Sequence, residues 1–474
     1  MSWTGRREME DVGPVESTKR RAPRLVVAGL AGDSGKTLVS MLLLLAARQR
    51  GLAVRGFKKG PDYIDPSWLS WVSGHPTRSL DTFLMGFERA VASFGRHAVA
   101  ERLNVIEGNR GLYDGSDAAG SHSTAELAKA LQAPVLLVLN VRKVTRTAAA
   151  WLVGCQQLDP QVSIAGVVLN QVSGSRHERL LRDAIASTSE VPVLGVVPRI
   201  RDALLPGRHL GLVPPGEHPT TGGLLASLLD VAGAAFDWER LLTIAAGAPQ
   251  LDVRRPGLGA AGRCPDGRGL TFGYVKDSAF SFYYPDNLDA LEASGASLVP
   301  VSALSATGLP GGLDALYIGG GFPETHAAAL AANVCFLQAL RTAAGRGLPI
   351  YAECGGLILL SRSVIWNGQR HGLAGVFPFD VLMSAAPQGH GYVELAVDRP
   401  NPYFPAGLVL KGHEFHYSRI LSEGPLPPTA GAVRRGTGCA GRRDGLVDNN
   451  VWASYTHLHA LATPEWTTAL VGVA

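Results

Sequence analysis

The feature that most constrains the fold is the run GLAGDSGKT at positions 29–37. An apolar segment with strand character, residues 24–29, leads into it, and residues 36–50 leave it with helical spacing. A strand, a glycine-rich turn and a helix in that order form an anion site. Backbone N–H groups of the turn and the positive end of the helix face the anion. Lys36 adds a point charge, and the Thr37 hydroxyl is placed to bind Mg²⁺. The usual spacing is GxxxxGK[ST]. Here Gly29 lies one residue too far from Gly35, and Leu30 stands at the usual glycine position, so Gly32 is expected to give the close backbone approach. Gly32, Ser34, Gly35, Lys36 and Thr37 are therefore the expected nucleotide-holding residues.

A loop of this kind needs a parallel sheet around it, and the flanking sequence supplies one. Residues 103–107, 134–141 and 164–170 are short runs rich in Val, Ile and Leu, and 123–131 and 176–187 have helical spacing. Such alternation predicts a parallel sheet covered by helices on both faces. The one-residue-longer loop is typical of the dethiobiotin-synthetase-like branch of phosphate-loop enzymes. At 474 residues the chain exceeds one hydrophobic core. The pattern divides it into a polar tail (1–22) read as disordered, a phosphate-loop domain (23–232), a linker (233–269) containing RRPGLGAAGRCPDGRG, and a second α/β domain (270–474).

Two acidic clusters follow the loop: KKGPDYID at 58–65 and EGNRGLYD at 107–114. Glu107 ends an apolar strand. Ligands of open α/β sheets sit beyond the carboxyl ends of the strands, so this carboxylate is expected beside Thr37, holding Mg²⁺. Asp62, Asp65 and Asp114 taken singly read as turn or solvated carboxylates. Three such positions after strands in one domain shift the reading toward function. Asn170 ends the strand IAGVVLN, either to contact the nucleotide base or as a turn residue.

In the second domain, PIYAECGGL at 349–357 runs an apolar strand straight into Cys354 and two glycines ahead of a helix. That is the layout of a nucleophile elbow, and the helix N-terminus is expected to lower the thiol pKa. The candidate bases are His413, His416, His457 and His459. Residues 453–459 read as one short strand, which would put His457 and His459 on the same face. The oxyanion donors are expected from Gly320 and Gly321, in the run GGGFPE, and from Gly355.

Bulk properties exclude other classes. A net charge of +4 over this length gives no support to nucleic-acid binding. Five widely spaced cysteines without a CxxC pair suggest neither zinc nor a disulfide framework, and fit a cytoplasmic location. The first 24 residues lack the apolar segment of a secretory signal, and no apolar run is long enough to span a bilayer.

Ten motifs, from GLAGDSGKT through FKKGPDYIDP, SLDTFLM, EGNRGLYDG, RHLGLVP, DSAFSFYYPDNLDAL, GGGFPE, AECGGL and KGHEFHYS to ASYTHLH, resemble the cobyrinate a,c-diamide synthase family in order and from about residue 25 to the C-terminus. The resemblance implies a phosphate-loop domain that uses ATP and Mg²⁺ to phosphorylate a carboxylate of a tetrapyrrole. It also implies a domain similar to class I, triad-type glutaminases that supplies ammonia from glutamine. It assigns Cys354 as nucleophile and His457 as its base. It associates Asp62, Tyr63, Asp65, Glu107 and Asp114 with the ATP and macrocycle site, Asp62 and Glu107 being expected at the metal and Tyr63, Asp65 and Asp114 at the macrocycle. Arg110, where cobyrinate enzymes usually carry a small or apolar residue, could pair with a ring carboxylate or contact ATP phosphate. Many triad glutaminases carry a carboxylate two residues past the histidine. His459 stands there, which implies a Cys–His dyad. EGNRGLYDG, with Asn109 and Arg110, is more like relatives that amidate sirohaem or nickel-sirohydrochlorin. The expected substrate is therefore cobyrinate or hydrogenobyrinate, with a sirohaem-type ring as the alternative, and a homodimer is a family-level expectation. A phosphate-loop regulatory ATPase, the reading from another class, predicts no second catalytic domain and leaves Cys354 unexplained.

Overall fold

The computed structural model describes residues 17–100, 102–200, 207–208, 211–217, 221–254 and 266–474. The first domain contains β1 (Ser17–Arg20), β2 (Arg24–Gly29), α1 (Lys36–Gln49), β3 (Val54–Lys58), α2 (Ile64–Ser73), β4 (Arg78–Ser79), α3 (Thr82–His97) and β5 (Leu103–Glu107). It continues through α4 (Thr124–Ala130), β6 (Val135–Asn140), α5 (Thr147–Leu158), β7 (Ile164–Val172), α6 (Ser175–Ala186) and β8 (Val193–Pro198). Then come the two-residue strands β9 (Gly207–Arg208) and β10 (Gly211–Leu212), α7 (Thr221–Ala234), α8 (Trp238–Ala246) and β11 (Leu251–Arg254). Seven strands form one parallel sheet in the order β4-β3-β5-β2-β6-β7-β8. Central strands such as β2 and β6 are buried on both faces, which is why they read as unbroken apolar runs. Helix α1 buries Val39 and every residue from Met41 to Ala47. Each fully buried Leu contributes about 1.5–3 kcal/mol.

Two expected boundaries move. Of the tail read as disordered (1–22), residues 1–16 lie outside the described residues, but Ser17–Arg20 pair antiparallel with Leu251–Arg254. Of the expected linker (233–269), residues 255–265 lie outside the described residues, and the rest is structured. Helix α8 packs Trp238, Leu241 and Ala245 into the first domain's core. The buried Arg24 guanidinium donates to Pro249 O at 2.9 Å and Leu131 O at 2.7 Å, tying this segment to the first strand of the sheet.

The second domain runs β12 (Thr271–Val275), α9 (Pro285–Ala293), β13 (Ser297–Val301), β14 (Ala315–Ile318), α10 (Ala327–Ala332), α11 (Val334–Gly345), β15 (Ile350–Glu353) and α12 (Gly355–Leu360). There follow β16 (Ser363–Trp366), β17 (Gln369–Gly372), β18 (Asp380–Met383), β19 (Gly389–Val397), β20 (Val409–His416), β21 (Ser418–Leu421) and β22 (Thr429–Arg435). The chain ends with β23 (Arg443–Asp448), β24 (Val451–Ser454), β25 (His457–Leu458) and α13 (Glu465–Val473). A ten-stranded sheet has the order β13-β12-β14-β15-β24-β23-β22-β19-β20-β25. It is parallel from β13 to β24 and antiparallel beyond. A four-stranded sheet, β17-β16-β18-β21, accompanies it. The stretch 453–459 is not one strand: β24 stops at Ser454 and β25 restarts at His457, so the simple two-residue alternation does not carry across. Among the described residues, no single helix is long and apolar enough to cross a membrane.

The domains meet through specific contacts. Asp81 caps α3, accepting from the N–H groups of Phe83 and Leu84 at 2.9 Å each, and also accepts from Tyr392 Oη of β19 at 2.7 Å. Arg89 donates to Leu461 O at 3.0 Å. Arg78 approaches Asp289 at 2.6 Å.

Candidate active site

The phosphate loop lies at the carboxyl end of β2, and its shape follows from its residues. Gly35 has φ +89°, and a Cβ there would lie 2.1 Å from Asn170 Nδ2. Only glycine suits both the backbone and the contact. Ser34 Oγ folds back on Ala31, donating to its carbonyl at 3.0 Å. Lys36 Nζ donates to Ala31 O at 2.8 Å. A Cβ on Gly32 would meet nothing within 4 Å, so no part of the chain crowds it. Asn170, read from sequence as a base contact or a turn residue, donates to Ser34 O at 3.0 Å and so braces the loop.

Thr37 and Glu107 do meet: Thr37 Oγ1 donates to Glu107 Oε1 at 2.7 Å. Between them and α2 lies a residue that sequence reading passed over. Lys58 Nζ, fully buried, sits 2.6 Å from Asp65 Oδ2, 2.9 Å from Glu107 Oε1 and 3.1 Å from Gly108 O. Burial alone would lower the Lys58 ammonium, but the Asp65 and Glu107 carboxylates outweigh it and push it up. Burial also opposes ionisation of Asp65, yet Lys58 holds it down to about 2. Burial raises Glu107 to about 7 against the pull of Lys58, and burial with Asp65 raises Asp62 to about 8. Asp65 is thus bound to Lys58 through Oδ2, with its side chain partly exposed.

This cluster fits a divalent cation. Glu107 Oε2 is buried without a hydrogen-bond partner, and Asp62, Asp65 and Glu107 gather around the Lys58 ammonium. Among the described residues, no three His, Cys, Asp or Glu side chains converge into a ready-made metal cage. Mg²⁺ does not require one, since it is commonly held by one or two carboxylates plus phosphate and water.

Cys354 occupies the turn between β15 and α12 with φ 48° and ψ −96°, a conformation that a non-glycine residue adopts only under constraint. Its N–H donates to Ser454 O at 2.7 Å, locking the elbow to β24. The thiol pKa is not lowered as the helix start led us to expect. Burial pushes the Cys354 thiol up, with Glu324 and Glu353 adding to it, and α12 is only six residues long. The thiolate therefore needs a neighbouring base. A Cβ on Gly355 would lie 3.0 Å from Gly321 N, and one on Gly320 would lie 2.6 Å from His457 Cε1. The nucleophile's turn, the glycine strip and His457 thus converge.

The four candidate histidines separate. His457 Nδ1 lies 3.4 Å from Glu353 Oε2. His459 faces elsewhere: Nδ1 accepts from Leu461 N at 3.1 Å, its ring packs on Tyr284 at 4.5 Å, and Nε2 approaches Asp286 at 3.7 Å. Burial depresses it to about 3. His416 stacks on Tyr455 at 3.7 Å, with Nδ1 at 2.8 Å from Ser418 O. His413 stacks on His457 at 4.9 Å.

A cavity of about 400 Å³ opens at the domain boundary, lined by residues of both domains. Lys59, Asp62, Tyr63, Asn109, Arg110 and Asp114 line it from the first domain, and His390, Tyr392, His413, Arg435 and His457 from the second. Tyr63 crosses the boundary bodily: its ring stacks on Phe282 at 5.1 Å and stands 5.2 Å from that of His457. Asp114 accepts from Gly111 N at 2.8 Å and so shapes the loop carrying Arg110, which has φ 49°. Phe83 and Tyr392 stack at 4.1 Å, with the Arg435 guanidinium 4.9 Å above Phe83. Lys59, His390, Tyr392 and Arg435 were missed in the sequence; only Lys59, inside FKKGPDYIDP, carried a local signal.

Comparison with known proteins agrees with this two-part site. Residues 25–212 match the CobQ/CobB/MinD/ParA nucleotide binding domain, and residues 271–465 the CobB/CobQ-like glutamine amidotransferase domain. The cobyrinate a,c-diamide synthase of Magnetococcus marinus is 42% identical over 448 residues, covering 94% of this chain and 96% of the relative. The chain belongs to the cobyrinate a,c-diamide synthase family. Other members of the family are similarly near. The synthase of Syntrophotalea carbinolica is 40% identical (95% of this chain, 98% of the relative), and that of Methanosarcina acetivorans is 38% identical (95% of each). As in the family, a nucleotide-binding domain and a glutamine amidotransferase domain are joined in one ATP-dependent amidating ligase.

Proposed function

We propose that the protein amidates the a and c acetate side chains of cobyrinate or hydrogenobyrinate, with ATP as activator and glutamine as nitrogen donor. The observation that carries this reading is the single cavity lined by Asp62 and Arg110 on one side and His457 on the other. ATP with Mg²⁺, when bound, supplies the phosphoryl group that turns a poor acceptor carboxylate into an acyl phosphate. Lys36 and the loop N–H groups would hold the phosphates, and Thr37, Glu107 and Asp62 the Mg²⁺. Lys59, Arg110 and Arg435 in the cavity lining would pair with the carboxylates of the ring.

On the glutamine side, Cys354 Sγ attacks the amide carbon while His457 takes the thiol proton. The N–H groups of Gly320, Gly321 and Gly355 would supply the donors to the developing oxyanion. His457 returns its proton to the leaving ammonia, and water then releases glutamate. Because His457 lines the shared cavity, ammonia is freed beside the activated carboxylate. There it forms the amide and releases phosphate.

Asn109 and Arg110 line the same cavity and favour a second reading, amidation of sirohaem or (nickel-)sirohydrochlorin by the same steps. The discriminating experiment is mass spectrometry of products from a panel of cobyrinate, hydrogenobyrinate, sirohaem and sirohydrochlorin with and without nickel. Two added amides on a corrin support the first reading. Products on sirohaem or sirohydrochlorin alone support the second. Glutamate release with no ring amidated refutes both.

A further inference from the structure

We propose that Glu353, the residue immediately before the nucleophile, is the positioning carboxylate of His457, making the glutaminase centre a triad whose acid comes from the nucleophile's own strand. The inference rests on the glutamine-hydrolysing reading of Cys354 and His457. The place where many triad enzymes carry their acid holds His459, which is turned toward Tyr284, Leu461 and Asp286. The parallel pairing of β15 with β24 sets Glu353 opposite Ser454, three residues before His457. The Glu353 side chain is fully buried. Its Oε1 accepts from Leu458 N at 3.0 Å and from Tyr351 Oη at 3.1 Å, while Oε2 accepts from Tyr317 Oη at 3.2 Å. Three donors fix the carboxylate as an acceptor, and Oε2 then faces His457 Nδ1 at 3.4 Å.

An ionised carboxylate only accepts, so this contact requires the proton on Nδ1. Nε2 is left free on the side of the ring nearest Gly320. That tautomer is the one a base acting on a thiol needs, and such contacts shorten when the reacting complex forms. The Leu458 N–H bond makes the arrangement stiff, since it ties the carboxylate to the residue next to the histidine. Asp444 secures the preceding turn, accepting from Tyr455 N, Thr456 N and Thr456 Oγ1 at 3.1, 3.0 and 2.6 Å. Among the described residues, the rings packed on His457 are His413 and Tyr63, and neither is a carboxylate.

The test is Glu353→Gln in the full chain, with glutamate release from glutamine and ammonia-driven amidation measured side by side. The glutaminase kcat should fall about 10²–10⁴-fold, the range for removing a triad acid, with the glutamine KM within about threefold. Ammonia-driven amidation should persist. The acid limb of the glutaminase pH profile should move to lower pH, because an imidazolium without its carboxylate loses its proton more readily. In a His457→Ala background, Glu353→Gln should add no further loss. An unchanged kcat, an unmoved acid limb, or full additivity with His457→Ala would overturn the assignment. Should Glu353→Gln fail to fold, Tyr317→Phe decides. It keeps the carboxylate but takes one donor from Oε2, so the acid limb should move up, and an unmoved limb overturns the proposal. Wild-type protein that releases no glutamate would overturn the glutaminase reading with it, an outcome distinct from a defect confined to Glu353→Gln.

Discussion

Burial of His459 makes the second domain sensitive to acid, and the size of the effect follows from the structure. Its ring is fully buried, accepts a backbone N–H and lies against Tyr284. Burial depresses its pKa from 6.5 to about 3. A histidine depressed in the native state is protonated first in the unfolded chain. Its contribution is therefore complete above pH 6.5 and is lost as pH falls toward 3. Between pH 7.5 and 5 the linkage amounts to about 2 kcal/mol, and over the whole interval to about 5 kcal/mol. His459→Asn places an amide oxygen where Nδ1 accepts and removes the titration. The assay is equilibrium urea unfolding of both proteins at pH 7.5 and 5, compared as a double difference so that every other titrating group cancels. The variant should be less stable at pH 7.5, through lost packing, and should lose about 2 kcal/mol less than wild type on acidification. Parallel pH dependences would refute the argument.

Cys354→Ala should reduce glutamine-driven amidation by at least about 10³-fold while ammonia still drives it; loss of both would refute the division of labour between the domains. Lys36→Ala should lower amidation about 10²–10³-fold with glutamate release retained, as read by parallel product assays; undiminished amidation would remove Lys36 from the phosphate site. Lys58→Met strands the buried Glu107 and the partly exposed Asp65 carboxylates and should cost the first domain about 3–5 kcal/mol, seen as a lower urea midpoint at neutral pH; an unchanged midpoint would show that Lys58 is not what balances them.

The strongest sequence signals were those that local geometry forces. A strand, a glycine turn and a helix leave few places for Thr37, and a carboxylate at the end of the adjacent strand had to fall near it: Thr37 and Glu107 meet at 2.7 Å. The elbow at Cys354 was legible for the same reason. What escaped was long-range or depended on a break in periodicity. Lys58 takes its meaning from Asp65 and Glu107, brought together only by the sheet. His457 and His459 were expected on one face because strands alternate, but the strand ends at Ser454 and a new one starts at His457. Helix α8 was hidden because Trp238, Leu241 and Ala245 lie next to a glycine- and proline-rich stretch that dominates the local composition. Glu353 reads as an ordinary strand terminus until Tyr317 and Leu458, from distant parts of the chain, are seen to converge on it beside Tyr351.

The Asp81 carboxylate has a double obligation. It holds the first turn of α3 and, through its other oxygen, the Tyr392 hydroxyl of the opposite domain, 311 residues away. A local end-cap is thereby made part of a long-distance clasp, on the wall of the cavity both domains share. Whatever displaces Tyr392 also removes a neutralising donor from the cap. The firmness of one helix start thus becomes a gauge of how closely the two halves are engaged, and amide exchange at Phe83 and Leu84 would read that gauge directly.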